Sequence, residues 1–282
     1  MDRMINKIEV ENLNGSYASL RSARTNGSSS LNGLNSSNRV IRDLNFSVRE
    51  GEIYGVIGPN GSGKTTLLRL LSRVLLPDDG EIRIEGKDLR RYSIQHLARM
   101  MAVVPQETTV DFSFTAFDIA AMGRAPYSGR FITGRHEKQV IEDSMRTTDT
   151  WHLRNRIFNT LSGGEAQRVV IARSLAQKCK ILLLDEPTAH LDLKYQSGIF
   201  GLLRRLRDEE GITIVLTTHD LNLAALFCDR LFLLHAGRKE VEGTPNEVIT
   251  HERIKTVYGA DCRIFYEEMR GVPIIYPNVE NQ

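Results

Sequence analysis

The sequence predicts an α/β fold in which helices alternate with the strands of a largely parallel β-sheet. Two segments, KILLLDEP (180–187) and TIVLTTHD (213–220), are near-continuous apolar runs that end in polar residues, which is typical of strands buried on both faces of such a sheet. The residues between them (194–211) have apolar side chains at helical spacing and end in Gly211, so they predict a crossover helix. A third apolar strand, GEIYGVIG (51–58), runs into a glycine-rich turn and then into a helical pattern.

The other predicted elements lie on both sides of an unusual segment, residues 18–38. It contains 13 serine, asparagine or glycine residues out of 21, too few apolar groups to offset the entropy of ordering. We interpret it as a mobile surface loop, either an insertion without a role or one with a regulatory or contact role. The remaining predicted elements are strands at 5–10, 44–48, 81–86 and 102–106, helices at 93–101 and 165–178, and a mixture of helices and loops from about 107 to 160.

Charge and cysteine content exclude several classes of protein. The net charge of +2 over 282 residues gives no support for a large surface that binds a polyanion. The three cysteines, Cys179, Cys228 and Cys262, lie far apart and form no CxxC pair, so neither a disulfide framework nor a zinc site is expected. A reducing compartment is therefore the default.

We expect neither a secretory signal nor a membrane-spanning segment from this sequence. The N-terminus MDRMINKIEVEN carries charges throughout, and no apolar run approaches the roughly 20 residues that cross a bilayer. If this protein works at a membrane, we expect it to work from the surface, through a partner.

The turn GPNGSGKTT (58–66) matches the phosphate-binding pattern G-x-x-x-x-G-K-[ST] without a mismatch. Glycines let the backbone curl so that its N–H groups point at phosphates, and the following helix presents its positive end to the same anion. Lys64 supplies a positive charge for the β- and γ-phosphates, and the Thr65 hydroxyl can ligate Mg²⁺. The complete set of predicted phosphate-binding residues here is Gly58, Pro59, Asn60, Gly61, Ser62, Gly63, Lys64, Thr65 and Thr66.

Two carboxylates follow the apolar strand at 181–184. Asp185 is expected at the carboxyl end of that strand, where open α/β sheets bind their ligands, and it can hold Mg²⁺ through water. Glu186 is next to it and can polarise a water molecule that attacks the γ-phosphate. Together with the glycine-rich turn, this pair predicts nucleotide hydrolysis.

The motif LSGGEAQ (161–167) adds a second anion-binding helix terminus, because a serine and two glycines stand at a predicted helix start. With this motif the chain resembles the ATP-binding subunit of an ABC transporter. The resemblance covers nearly the whole chain. It implies a P-loop ATPase with a RecA-like core, an N-terminal antiparallel β subdomain and an inserted helical subdomain. It also implies ATP and Mg²⁺ as ligands.

The resemblance further implies a head-to-tail pair of subunits with two nucleotides between them. In such a pair Ser162, Gly163, Gly164 and Glu165 of one copy would close over the ATP held by the other. The remaining motifs stand in the expected order. Gln106 would contact Mg²⁺ or water, Asp192 belongs to the AHLD motif, His219 would bind the γ-phosphate, and Tyr17 would stack on adenine. Ala189-His190 departs from the Ser-Ala of many members.

The expected domain organisation follows from the same resemblance. Residues 1–250 are expected to form the nucleotide-binding domain, with the helical subdomain at about 107–163. Residues 251–282 are expected to be a C-terminal extension packed on that domain.

Two classes of ABC ATPase remain as alternatives, transport ATPases and those of DNA repair, chromosome structure or the ribosome. Repair and chromosome relatives separate the two catalytic motifs by very long coiled coils, whereas Lys64 and Asp185 are 121 positions apart (185 − 64) with no heptad run between them. Ribosome-associated relatives carry two cassettes, and this chain has one. Transport is favoured.

The segment FSFTAFDIAAMGRAPYSG (112–129) is similar to a stretch of importer ATPases for ferric siderophores, haem and vitamin B12. It follows Gln106, where the family docks its membrane subunit, and Arg124 is expected to be a contact residue there. The sequence thus predicts an ATP-hydrolysing importer subunit on the cytoplasmic face of the membrane. Its expected partners are a second copy, a multi-spanning permease and, indirectly, an extracytoplasmic binding protein, with no nucleic acid. Other metal importers and exporters are alternatives, and the cargo cannot be read from the chain.

Overall fold

The computed structural model describes residues 6–16, 39–127, 134–189 and 191–278. These residues fall into two compact units. The first is made of Met1–Arg91 and Val215–Gln282, and the second of Tyr92–Ile214. Tyr17, His190 and the segment 18–38 lie outside the described residues, so the predictions made for them stay predictions.

Strands and helices alternate along most of the chain. The strands are β1 (Asn6–Gly15), β2 (Ile41–Arg49), β3 (Ile53–Ile57), β4 (Asp79–Ile84), β5 (Lys87–Asp88), β6 (Met101–Val104), β7 (Ile181–Asp185), β8 (Thr213–Thr218), β9 (Arg230–His235), β10 (Arg238–Gly243), β11 (Cys262–Tyr266) and β12 (Pro273–Pro277). The helices are α1 (Lys64–Leu71), α2 (Ile94–Met100), α3 (Ala116–Ala121), α4 (Arg135–Thr147), α5 (Gly163–Ala176), α6 (Leu193–Glu210), α7 (Leu221–Phe227), α8 (Pro245–Val248) and α9 (His251–Tyr258).

The first unit contains an antiparallel sheet with the strand order β2-β1-β4-β5. β1 lies between its two long neighbours, so that Ile8 faces Val48 on one side and Ile84 on the other. These three side chains are fully buried. The sheet is the N-terminal antiparallel subdomain that the sequence predicts.

The first unit also contains the strand that leads into the glycine-rich turn. β3 is buried along its whole length and pairs in parallel with β9, from Tyr54 opposite Arg230 to Ile57 opposite Leu233. β9 pairs on its other side with β10 in antiparallel register. The buried strand fixes the point at which the turn leaves the sheet.

The second unit places two parallel strands side by side. β6 pairs with β7 from Met101 opposite Ile181 to Val104 opposite Leu184. Because parallel strands end at the same edge, the residues that follow β6 and β7 are brought together there. Helices α3, α4 and α5 pack against one another in this unit.

The crossover helix predicted between β7 and β8 is present as α6. It buries Ile199, Phe200 and Leu203 on one face and ends at Gly211, whose φ of 65° is the left-handed conformation that glycine adopts readily. The chain passes from the second unit to the first within β8, all of whose residues are buried.

The C-terminal residues fold back within the first unit. β11 and β12 form an antiparallel hairpin. The Asn222 side chain on α7 exchanges two hydrogen bonds with the main chain of Ile275, at 2.7 and 3.2 Å. The division of the chain into a domain of 250 residues and an extension stays a prediction.

Candidate functional site

The glycine-rich turn between β3 and α1 needs two of its glycines for steric reasons. Gly58 has a φ of 155°, and a β-carbon there would lie 2.1 Å from the main-chain oxygen of Leu234. Gly63 has a φ of 110°, and its β-carbon would lie 2.8 Å from Ile41. No other residue fits at these two positions without moving its neighbours.

The Lys64 side chain folds back beneath the glycine-rich turn that precedes it in the chain. Its ammonium group donates to the main-chain oxygens of Gly58 at 2.9 Å and Pro59 at 3.2 Å, and the side chain is buried. These bonds hold a positive charge beneath the loop, at the N-terminus of α1, where the helix dipole is also positive. The first turn of α1 contains no acidic residue.

The turn fits a phosphate anion. The buried Ser62 hydroxyl has no hydrogen-bond partner among the described residues, so the turn holds a polar atom that a ligand could satisfy. Thr65 is half-buried on the first turn of α1, beside Lys64. A buried cation, an open helix N-terminus and an unpaired hydroxyl are together the groups that a polyphosphate site requires.

The second unit brings three predicted residues together at the edge where β6 and β7 end. Asp185 is the last residue of β7 and is buried. Glu186 follows it, and the amide of Gln106 donates to its carboxylate at 3.5 Å. The structure thus brings Gln106 to Glu186, a contact that the sequence does not predict.

Glu186 has a left-handed backbone conformation, with a φ of 45°. Such a conformation costs on the order of 1–3 kcal/mol for a residue other than glycine, and it persists only where the surroundings impose it. Here the Glu186 oxygen accepts a hydrogen bond from the Ala189 N–H at 3.0 Å, which closes a tight turn after β7.

The motif at 162–165 forms the start of helix α5. Ser162 is the N-cap, and it forms a capping box in which its hydroxyl accepts from the Glu165 N–H and donates to the Glu165 carboxylate. The Glu165 carboxylate also accepts from the Ser162 N–H at 2.8 Å. These bonds, the main-chain one first, hold the pKa of Glu165 below its usual range. In this structure Glu165 stabilises the helix start.

Gly164 is required by a contact that the sequence does not reveal. A β-carbon there would lie 2.2 Å from the ring of Tyr195 on α6. Asp192, the N-cap of α6, accepts from the Tyr195 N–H at 3.0 Å and so fixes the start of that helix. Gly164 therefore has a packing role beside its predicted role in phosphate binding.

A groove of about 320 Å³ lies in the second unit, between the residues after Gln106 and the first turns of α5. Two polar atoms of its lining residues, the Thr108 hydroxyl oxygen and the Gln167 amide nitrogen, are buried without a hydrogen-bond partner among the described residues. No sequence pattern predicts this groove. It is lined by Gln106, Glu107, Thr108, Thr109, Phe158, Gly163, Ala166, Gln167, Val170, Pro187, Ala189 and Leu191.

The predicted residues are thus divided between the two units. The turn at 58–66 and His219, an exposed residue that directly follows β8, lie in the first unit. Gln106, Asp185 and Glu186 lie in the second, with the N-terminus of α5. A family model described as ABC transporter matches residues 41–189, which include all of these motifs except His219.

The chain belongs to the ABC transporter family. The hemin import ATP-binding protein HmuV of Pseudomonas putida is 40% identical over 245 residues, which cover 85% of this chain and 94% of that protein. The ferric enterobactin transport ATP-binding protein FepC of Escherichia coli is 36% identical over 239 residues, covering 84% and 88%.

The fold is also that of solved ABC transporter structures. A chain from an inward-facing transporter, provisionally assigned to the metal-chelate type, matches with a TM-score of 0.80 and 28% identity, over 98% of both chains. The predictions of an α/β P-loop ABC fold and of an ABC-type ATPase are confirmed. Among the described residues of this ABC protein, no helix has the length and apolar character that spanning a bilayer requires.

One prediction about the ABC protein is wrong. Arg124 is expected to be a contact for a membrane subunit, but its side chain is only 4% exposed. It is buried against α4 and α5, where it bonds Glu137 and the Ala176 oxygen. Phe112, in the same 112–129 segment, is by contrast 71% exposed.

Proposed function

We propose that this protein is the ATP-hydrolysing subunit of an importer for a metal chelate, namely haem, a ferric siderophore or cobalamin. One observation carries the ATPase part. The chain holds a glycine-rich turn with the Lys64 ammonium buried beneath it and a second glycine-containing helix start at Ser162, and each would bind phosphate. The relatives named for hemin import and ferric enterobactin transport support import and this class of cargo.

In the proposed hydrolysis, different residues bind the phosphates, activate the water and hold the metal ion. Lys64 and the main-chain N–H groups of the turn at 58–66 bind the phosphates. Glu186 accepts a proton from the attacking water, and Gln106, which lies against its carboxylate, orients that water. Thr65 and Asp185 would hold Mg²⁺, which neutralises charge on the β- and γ-phosphates.

A second copy of the chain would complete each site. Ser162 and the N–H groups at the start of α5 would close over the nucleotide bound by the partner copy, and Asp192 would contact that copy. His219 would donate to the γ-phosphate. Closure on binding and reopening after phosphate release would then move the membrane subunits.

The proposed place of work is the cytoplasmic face of the membrane, beside a multi-spanning permease. The exposed Phe112 supports a contact surface in the segment after Gln106. An extracytoplasmic binding protein would deliver the cargo to the permease. Tyr17 is the proposed adenine-stacking residue.

Deletion of the gene, followed by growth tests, examines the proposal directly. If the cargo is haem or a ferric siderophore, we expect the deletion strain not to grow when iron is supplied only as hemin or only as ferric enterobactin. If the cargo is cobalamin, we expect it not to grow on limiting cobalamin. A ferrous iron salt, with cobalamin not limiting, should restore normal growth and is the control.

The tagged protein should also co-purify with a multi-spanning membrane protein from detergent extracts. Normal growth on all three chelates would rule out the proposed cargo class. ATPase activity that nucleic acid stimulates, without any membrane partner, would rule out transport.

A further inference from the structure

The residues that follow helix α3 lie against the C-terminal end of helix α5. The Arg124 guanidinium donates to the Ala176 oxygen at 2.7 Å, and it forms two hydrogen bonds to the Glu137 carboxylate on α4, at 2.5 and 3.2 Å. One buried side chain therefore links the chain after α3 to both α4 and α5.

Two neighbours of Arg124 contact the same end of α5. The Tyr127 hydroxyl donates to the Gln177 oxygen at 3.0 Å, and its ring stacks on the Arg124 guanidinium at 4.0 Å. At position 123 a β-carbon would lie 2.0 Å from the Arg173 oxygen, so only glycine permits this approach. Residues 123–127 thus hold the last turn of α5 by three adjacent contacts.

The beginning of the same segment is bonded to the chain that leads into α5. The Phe158 N–H donates to the Phe114 oxygen at 2.8 Å, and the Ala116 N–H donates to the Arg156 oxygen at 2.9 Å. Residue 158 stands only four positions before Ser162, the N-cap of α5 (162 − 158). The 114–127 segment is therefore attached at both ends of this helix.

We propose that Arg124 is a positioning residue, which fastens the 114–127 segment to α5 so that a displacement of the segment moves Ser162 and the glycines after it. The proposal rests on the proposed function, in which the start of α5 closes over the partner's nucleotide. Arg124 itself would contact neither nucleotide nor membrane subunit.

The chemistry of Arg124 suits this role better than lysine would. A planar guanidinium donates two parallel bonds to a carboxylate and a third bond to a carbonyl, whereas an ammonium is a point charge with no fixed fork. Hydrogen bonds from Arg124 hold the pKa of Glu137 below its usual range, so the carboxylate stays ionised at neutral pH. The contact is therefore both charged and directional.

The test compares the full-length chain, assembled with its membrane partner, as wild type, Arg124→Lys, Glu137→Gln and the double variant. We expect each single variant to lower kcat about tenfold, the effect of about 1.4 kcal/mol of lost positioning, with KM for ATP nearly unchanged. The double variant should cost little more than either single one, because the pair acts as a unit. Arg146→Lys, which alters an exposed ion pair with Glu142 on α4, is the matched control and should leave kcat unchanged.

Thermal unfolding distinguishes a loss of positioning from a loss of folded protein. If Arg124→Lys folds poorly, Glu137→Gln, which keeps Arg124, provides the same test. A loss of rate that only follows the unfolded fraction would overturn the proposal, as would a raised KM with unchanged kcat, or additive effects in the double variant. Hydrogen exchange on the nucleotide-free chain provides a test that needs no ATPase activity. The amides at 125 and 127 and those of the last turn of α5 should exchange faster in Arg124→Lys, and unchanged exchange would refute the fastening even if the chain hydrolyses no ATP.

Discussion

Lys64 is bound by the main chain of its own turn through the Gly58 and Pro59 oxygens. These bonds fix the position of the ammonium, so that less side-chain entropy would be lost when it binds a phosphate. The pattern G-x-x-x-x-G-K-[ST] predicts this residue because its chemistry requires a fixed spacing from the turn.

Replacing Lys64 with alanine tests its role at the scale of one residue. We expect Lys64→Ala to weaken ATP binding by on the order of 10- to 100-fold, because a charge-assisted contact with the phosphates is lost. Titration of the purified protein with a fluorescent ATP analogue measures the change. Unchanged affinity would argue against the phosphate-binding interpretation of the turn.

The burial of Arg124 could not be predicted from the local sequence. The similarity of the surrounding segment to importer ATPases locates Arg124 in sequence but does not indicate which side of the chain it faces. Its burial depends on Glu137 and Ala176, which lie 13 and 52 positions away. Contacts of this kind depend on how α3, α4 and α5 pack, and no local pattern contains that information.

At the scale of elements, the sequence predicts those helix starts and ends that depend on local periodicity and on capping residues. The crossover helix α6 ends at Gly211, and the start of α5 at Ser162 is visible as a serine three positions before Glu165. The close approach of Gly164 to Tyr195 was not predictable, because it arises from the packing of two helices. The same holds for the groove beside Gln106.

The capping box of α5 makes the stability of this helix depend on pH. The folded-state pKa of Glu165 is lowered, so its contribution is present above the ordinary carboxyl pKa and is lost as the pH falls through the folded-state value. We expect wild type to lose about 0.3–1 kcal/mol more than Glu165→Gln between pH 6 and pH 3, since glutamine keeps the shape and lacks the charge. Urea unfolding across this pH range measures the difference, and parallel curves would contradict the expectation.

At the scale of the whole molecule, the two helix starts proposed to bind phosphate belong to different units of one chain. The proposed two-copy arrangement would use both. The sequence predicts this pairing only through the family resemblance, since nothing in the composition or periodicity of one chain specifies the surface of a second copy.

A variant that binds ATP and cannot hydrolyse it should accumulate the paired form. We expect Glu186→Gln to reduce turnover by about 100-fold or more, because the proton acceptor is lost, while ATP binding persists. With ATP present it should elute as a dimer in size-exclusion chromatography, and wild type should not. Glu209→Gln, an exposed change near the end of α6, is the control. Wild-type turnover by the Glu186 variant would exclude this residue as the base.

Because of its backbone conformation, position 186 would be most stable with a residue other than the one that hydrolysis needs. Glycine, or to a lesser degree asparagine, would adopt a φ of 45° at lower cost and so favour the folded state. Neither carries a carboxylate that could accept a proton from water. Selection for heat resistance alone, in nature or in the laboratory, would therefore favour glycine or asparagine at position 186. Only selection for ATP turnover would retain glutamate.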